Sequence, residues 1–328
     1  MTPPADGVTG APTVFITDYA WPDVEIERRV IEGAGFRLVA GPSTPASAAQ
    51  IEALVEQHQP SGILTNWAPV SARAVGLSPK LRIIGRLGVG LDNIAVDEAT
   101  RRGIWVTNVP DYCFEEVADH SVGMLLSFTR GLMHFDREVK AGRWEPSSAR
   151  LRRMSTLTVG IIGYGRIGRS TAQKLNGFGT RVLAYTRSAP AEKGVEFVAL
   201  DELLRQSDAV IVHIPLTAET KHLIDRERLA LMKPGAILIN VSRGAVVDTN
   251  ALVEALQSGH LGGAALDVLE NEPHVPPALL AQPNVMLTPH IAFTSDASLT
   301  ELRTWASEEI VRVLRGQPPK EGRNKPAR

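Results

Sequence analysis

Short apolar runs alternate along this chain with longer segments whose apolar positions recur every three to four residues, the pattern of buried strands joined by amphipathic helices. In the first hundred residues the runs at 13–17, 36–40, 62–65, 81–84 and 104–107 predict five strands, with helices at 23–32 and 46–58. Pro110 interrupts the alternation, and one long helix is expected from Phe114 to about Lys140. There Val117, Val122, Leu125, Leu126, Phe128, Leu132 and Phe135 approximate a helical repeat with no proline inside it. A second series predicts strands at 157–162, 181–185, 209–213, 236–240, 264–267 and 285–288, and helices at 167–178 and 200–206. A final helix at 296–314 lies beyond this series and can return to the first, so that the chain crosses between domains twice. The tail 317–328 is polar, basic and proline-containing, and is expected to be a disordered end. Strands alternating with helices encode a parallel sheet covered on both faces, so the class is α/β.

The length of 328 residues fits about two domains. Thirty-five basic residues against 36 acidic ones leave a net charge of -1, which supplies no field to draw the chain to nucleic acid or to an anionic membrane. With 44% apolar and 22% charged residues the composition is that of an ordinary soluble globular protein. A single cysteine, Cys113, cannot form an internal disulfide, and no CxxC or similar cluster offers a metal site, so no metal is expected. A reducing cytoplasm fits this usage, and residues 1–12 lack the basic and apolar regions of a signal peptide. No apolar run is long enough to span a membrane.

The strongest local signal is Gly163-Tyr-Gly165-Arg166-Ile167-Gly168, immediately after a predicted strand and opening a helix. In that context one glycine makes the tight turn, one lets a pyrophosphate approach the backbone and one lets helix and strand pack closely. The amides of Arg166 and Ile167 at the helix N-terminus would hold the pyrophosphate. At the end of the next strand, where an acidic residue usually bonds the adenine ribose, stands Thr186, followed by Arg187 and Ser188. A guanidinium and two hydroxyls suit a 2′-phosphate, so NADP(H) is favoured; the alternative is that Arg187 is a solvated loop charge and the site accepts either dinucleotide.

Three further strand ends carry chemistry. Asn240-Val-Ser-Arg243, Glu270-Asn-Glu272-Pro and Leu287-Thr-Pro-His290 supply a fixed cation, a carboxylate and an imidazole at the sheet edge where ligands bind. Reduction of a 2-oxo acid needs a cation for the carboxylate and carbonyl, and an acid for the developing alkoxide; Arg243 suits the first role and His290 the second. Glu272 is the candidate to fix the imidazole's tautomer and favour its charged form. Taken singly, each has a structural reading as an ion-pair former, a surface acid and a turn histidine.

Their order, together with Gly85-Arg-Leu-Gly-Val-Gly-Leu-Asp-Asn93, the glycine loop, His213-Ile-Pro-Leu-Thr217, Lys233-Pro-Gly-Ala236, Val241-Ser-Arg-Gly-Ala245, Ala265-Leu-Asp-Val268 and Asn271-Glu-Pro273, resembles the D-isomer-specific 2-hydroxyacid dehydrogenase family. The segment 111–120 looks like that family's phosphoglycerate-dehydrogenase and C-terminal-binding-protein branch. The resemblance implies hydride transfer between NAD(P)(H) and a 2-hydroxy or 2-oxo acid, with Arg243, Glu272 and His290 catalytic. It implies that Val89 and Gly90 amides hold the substrate carboxylate, that Asn66 and Trp67 lie on the substrate loop, and that Asp267 bonds the nicotinamide carboxamide. His213, Pro215, Val241, Arg243 and His290 join the expected cofactor contacts. It further implies two doubly wound parallel-sheet domains, Rossmann-like or flavodoxin-like. A dinucleotide-binding domain, 110–293, is inserted in a discontinuous substrate domain, 1–109 and 294–328, and the protein is usually a dimer. Thr186 departs from the acidic residue many members carry. His120 is read as a packed or dimer-facing helical histidine. The competing function is an NAD(H)-sensing, corepressor-like regulatory protein.

Overall fold

The computed structural model describes residues 10–188 and 192–326. Of the segment 1–12 and the tail 317–328, residues 1–9 and 327–328 therefore lie outside the described residues. The chain divides into two compact units, Met1–Tyr112 with Ser295–Arg328, and Cys113–Thr294.

The first unit runs β1 (Thr13–Ile16), α1 (Glu25–Gly33), β2 (Arg37–Ala40), α2 (Ala48–His58), β3 (Gly62–Thr65), α3 (Ala72–Leu77), β4 (Ile83–Arg86), α4 (Val96–Arg101) and β5 (Trp105–Thr107). Its five strands are parallel in the order β2-β1-β3-β4-β5. This is the flavodoxin-like arrangement, whose winding reverses between β1 and β3 and opens a crevice at their C-terminal ends. β1, β3 and β4 are buried at every position, which is why they read as continuous apolar runs rather than as alternation. The fourth strand starts two residues later than its hydrophobicity predicts. α3 and α4, six residues each, are too short to leave a periodic signature.

The second unit runs α5 (Phe114–Thr129), α6 (Leu132–Lys140), β6 (Thr158–Ile162), α7 (Arg166–Gly177), β7 (Arg181–Tyr185), β8 (Glu196–Phe197), α8 (Leu200–Gln206), β9 (Ala209–Val212), α9 (Arg226–Leu231), β10 (Ala236–Asn240), α10 (Thr249–Gln257), β11 (Leu261–Leu266), α11 (Pro277–Leu280) and β12 (Val285–Leu287). Its seven parallel strands are ordered β12-β11-β10-β9-β6-β7-β8. Counted from β6 this is the dinucleotide-fold order 3-2-1-4-5-6 with one strand added, and its switch point lies between β6 and β9. The single helix expected from Phe114 to Lys140 is instead two. Gly131 adopts φ +63°, where a Cβ would come within 3.0 Å of Leu151 and Phe135, and it ends the first helix and opens the second. The apolar periodicity continued across the break because α6 carries its own apolar residues. None of them is buried: Leu132 is 58% and Val139 48% exposed.

α12 (Asp296–Leu314) occupies the span its sequence predicts and belongs to the first unit. Ser295 caps it, accepting from the Ser298 amide while the Ser298 hydroxyl accepts from the Ser295 amide. Ile310 of α12 lies against β3 and β4. A Cβ at Gly62 would approach it to 3.1 Å and one at Gly85 to 3.3 Å, so those two glycines let the helix seat on the sheet. Arg303 donates to both oxygens of Glu27 on α1 at 2.8 and 2.7 Å, and Glu27 is fully buried.

The tail is not a disordered end over its described part. The Arg323 amide donates to the Val106 carbonyl at 2.8 Å, the Val106 amide donates to Asn324 Oδ1 at 2.9 Å, and Thr107 and Gly322 form an antiparallel bridge. Glu309 of α12 accepts from the amides of Lys320 and Glu321. A polar composition concealed this order because backbone and carboxamide bonds, not apolar burial, hold the segment against the open edge of β5.

Candidate active site

The glycine loop joins β6 to α7, and its three glycines separate by cause. Gly163 has φ +100°, and a Cβ there would lie 2.7 Å from the His213 carbonyl oxygen; at Gly168 one would lie 2.1 Å from the Gly163 carbonyl oxygen. Both are required by the protein's own packing. Gly165 has φ -84°, and a Cβ built on it would meet nothing within 4 Å. Neither backbone nor neighbours demand glycine there, and the space beside it is open. It adjoins the first turn of α7, which has no side-chain cap and no acidic residue, and which contains the Arg166 and Ile167 amides. An uncapped helix N-terminus beside a clear space fits a dinucleotide pyrophosphate.

Around this loop, His213 follows β9 and its ring pairs with the Thr171 hydroxyl at 3.0 Å. Burial pushes its imidazole down to about 3, so the ring is neutral at any physiological pH. Val241 is buried just after β10, and Pro215 is exposed after β9. Thr186, Arg187 and Ser188 follow β7 as the sequence predicts, with Arg187 and Ser188 exposed. Arg187 also bears electrostatically on Glu219, whose carboxyl lies below its ordinary value chiefly through its hydrogen bond from Thr217.

Arg243, Glu272 and His290 all lie in the second unit, on the loops after β10, β11 and β12. His290 Nδ1 donates to Glu272 Oε2 at 2.8 Å, and Glu272 Oε1 accepts from the Leu269 amide at 2.9 Å. Burial acts to raise the Glu272 carboxyl, but the hydrogen bond and charge of His290, the Leu269 amide and the charge of Arg243 outweigh it and hold the group below the usual carboxylate range. Glu272 is therefore ionised at neutral pH and able to accept from His290, and this is lost as pH falls through that depressed value. Replacing Glu272 by Gln removes the negative charge beside the imidazole while keeping an acceptor. The alkaline limb of the reductive pH-rate profile should then move to lower pH, checked with the chemical step rate-limiting; an unmoved limb would contradict the pairing role.

His290 sits at φ +53°, uncommon for a residue with a side chain, and its amide donates to the carbonyls of Asp267 at 2.8 Å and Thr288 at 3.0 Å. Asp267, 2% exposed, organises this loop. Oδ1 accepts from the Thr288 hydroxyl at 2.6 Å and the Ile291 amide at 2.9 Å, and Oδ2 accepts from the Ala292 amide at 3.0 Å. These three bonds use three of the carboxylate's roughly four acceptor positions. His120 on α5 packs behind this group, its Nε2 3.1 Å from the Thr288 hydroxyl. Arg243 opens a short 3-10 turn, with its carbonyl accepting from Asn240 Nδ2 and its Nη1 donating to the Ser242 carbonyl, both at 2.9 Å. Gly244 beside it is fixed by contact, since a Cβ would come within 1.9 Å of the Leu269 backbone.

Asn66, Trp67, Val89 and Gly90 belong to the first unit, on the loops after β3 and β4. Asn66 is buried, with its amide nitrogen donating to the Leu87 carbonyl at 3.2 Å and its oxygen accepting from Trp67 Nε1 at 3.0 Å. Arg86 lies over the Trp67 ring, 5.4 Å from its centre. The amides of Val89 and Gly90 donate to no carbonyl of the described residues, and Val89 is exposed. Sequence reasoning missed Asp18. Fully buried at the end of β1, it accepts from the amides of Asn66, Trp67 and Ala68 at 3.2, 2.8 and 3.0 Å and so shapes the Trp67 loop. Its available signal was a carboxylate directly after an apolar strand. Among the described residues no group of His, Cys, Asp and Glu could hold a metal, and no helix is long and apolar enough to cross a membrane.

Residues 122–292 match the model of the D-isomer specific 2-hydroxyacid dehydrogenase NAD binding domain. The chain is 43% identical over 253 residues to a glyoxylate reductase of Pyrococcus furiosus, an alignment covering 74% of this chain and 75% of that one. A D-lactate dehydrogenase from Aquifex aeolicus, solved with NAD and lactic acid, superposes with a TM-score of 0.85 at 31% identity, covering 96% of this chain and all of that one. A glyoxylate reductase from Paecilomyes thermophila superposes with a TM-score of 0.86 at 27% identity, covering 96% and 98%. These comparisons lend no support to the regulatory reading, and they do not single out the phosphoglycerate-dehydrogenase branch.

Proposed function

The chain belongs to the D-isomer specific 2-hydroxyacid dehydrogenases, which are NAD(P)-dependent oxidoreductases, and we propose that it works as a reductase of small 2-oxo acids through Arg243, Glu272 and His290. The observation that carries this reading is the 2.8 Å bond from His290 Nδ1 to Glu272, made on a loop held at positive φ. With Nδ1 engaged, Nε2 is the nitrogen that delivers a proton to the substrate oxygen as charge develops there. Glu272 balances the imidazolium before transfer. The Arg243 guanidinium holds the carboxylate and polarises the carbonyl. Within the first unit, the Val89 and Gly90 amides are read as donors for a substrate carboxylate. Bound nicotinamide supplies the hydride. On the protein side, the Gly165 space and the first turn of α7 would hold its pyrophosphate, and Asp267 its carboxamide.

Thr186 in place of a carboxylate removes the repulsion toward a 2′-phosphate, and Arg187 and Ser188 supply donors, so NADPH is the preferred reductant. Trp67 on the loop after β3 favours an apolar or planar side chain on the acid, and glyoxylate, hydroxypyruvate and larger 2-oxo acids are the candidate substrates. The working form is a cytoplasmic homodimer. Leu132, Val139, Trp144 and Leu151, each between 41% and 82% exposed, fall within residues 132–151 of the second unit, and a second copy would cover them. A panel of 2-oxo acids assayed with each dinucleotide tests the whole reading. Turnover with higher kcat/KM for NADPH is expected, a higher value for NADH would reverse the cofactor assignment, and tight dinucleotide binding without reduction of any acid would overturn the function.

A further inference from the structure

We infer that Arg323, on the C-terminal tail, is a positioning residue for substrate binding: acting through Asn108, it sets the direction of the backbone N–H that meets the substrate carboxylate. The inference rests on the reading of Val89 and Gly90 as carboxylate donors and adds what aims them.

In a trans peptide the carbonyl and the following N–H lie in one plane and point in opposite directions, so fixing a carbonyl also fixes the next residue's amide. The Val109 amide donates to the Gly88 carbonyl at 3.1 Å, and Asn108 Nδ2 donates to the Val89 carbonyl at 2.5 Å. These two bonds orient the N–H groups of Val89 and Gly90 respectively. Asn108 is 7% exposed, and a carboxamide can rotate to present either its oxygen or its nitrogen. Arg323 Nε donates to Asn108 Oδ1, which leaves Nδ2 as the group that faces Val89. Arg323 is itself held by its backbone bond to the Val106 carbonyl at 2.8 Å and by Glu321 on its Nη2 at 2.9 Å, while the next residue, Asn324, bonds Val106, Thr100 and Ile104. A run of side-chain and backbone bonds thus connects the tail to the loop after β4 entirely within the first unit.

The test compares Arg323→Ala, Arg323→Lys and Gly90→Pro in the full chain, with glyoxylate as the acid. Arg323→Ala should raise KM for glyoxylate about tenfold while kcat and KM for the dinucleotide stay within about twofold, and Arg323→Lys, which keeps a donor, should recover most of the loss. Gly90→Pro deletes the amide that Asn108 aims through the Val89 carbonyl and should raise the same KM. A raised KM in Gly90→Pro beside a parental Arg323→Ala would overturn the role of Arg323 and leave the carboxylate reading intact. A parental KM in Gly90→Pro would overturn the reading of that amide as a carboxylate donor and this inference with it. If Arg323→Ala instead depresses kcat, both KM values and the melting temperature together, the tail is a general brace and the inference fails.

Discussion

Replacing His290 by alanine is expected to lower kcat for 2-oxo acid reduction by about 10³-fold, within the range that a positioned general acid contributes, while dinucleotide affinity stays near parental. The expectation of a local effect comes from how the ring is held. Its Nδ1 is spent on Glu272, its backbone is fixed at φ +53° by two carbonyl acceptors, and the carboxylate of Asp267 gathers the residues on either side. None of these bonds except the first involves the imidazole, so the loop keeps its shape when the ring is removed. Single-turnover reduction followed by nicotinamide absorbance, beside a fluorescence titration of dinucleotide binding, measures both halves. Undiminished reduction by the variant would remove the general acid from the mechanism.

The second large effect is at Arg243. Its alanine variant should lose about 10³-fold in kcat/KM if, as proposed, the same cation holds the carboxylate in the ground state and faces the growing oxyanion in the transition state. Both kcat and KM should worsen. Arg243→Lys should restore little, because an ammonium is a point charge and cannot reproduce the planar two-pronged contact with a carboxylate. The melting temperature is expected to change little. The adjacent turn is fixed by backbone contacts at Gly244, which the substitution leaves in place. Equal kcat/KM in parent and variant would assign substrate binding elsewhere.

Sequence legibility followed burial on two faces and position at strand ends. β1, β3, β4, β9 and β10 are covered at every residue and read directly as apolar runs. The placement of Arg243, Glu272 and His290 on loops after parallel strands was legible because each follows an apolar run that is a strand of the second sheet. The break at Gly131 was hidden because exposed apolar residues of α6 carried on the stripe of α5. β8, two residues long, leaves no pattern at all. Asp18, Asn108 and Arg323 were invisible for another reason: each acts by bonding the backbone or carboxamide of residues far away in sequence, which no local spacing encodes. Gly165 shows the converse. Its motif was plain, and only the structure separated it, with open space beside it, from Gly163 and Gly168, which the protein's own backbone requires.

The seating of Ile310 on Gly62 and Gly85 sets a timetable for making the protein. During synthesis the strands bearing those glycines leave the ribosome long before α12, and the whole of the second unit is translated in between. The second unit can complete its core as it emerges, whereas the β3 and β4 part of the first sheet waits for the last helix. A stalled or prematurely terminated chain would therefore carry a finished nucleotide fold tethered to an open apolar sheet, the kind of surface that chaperones and proteases engage.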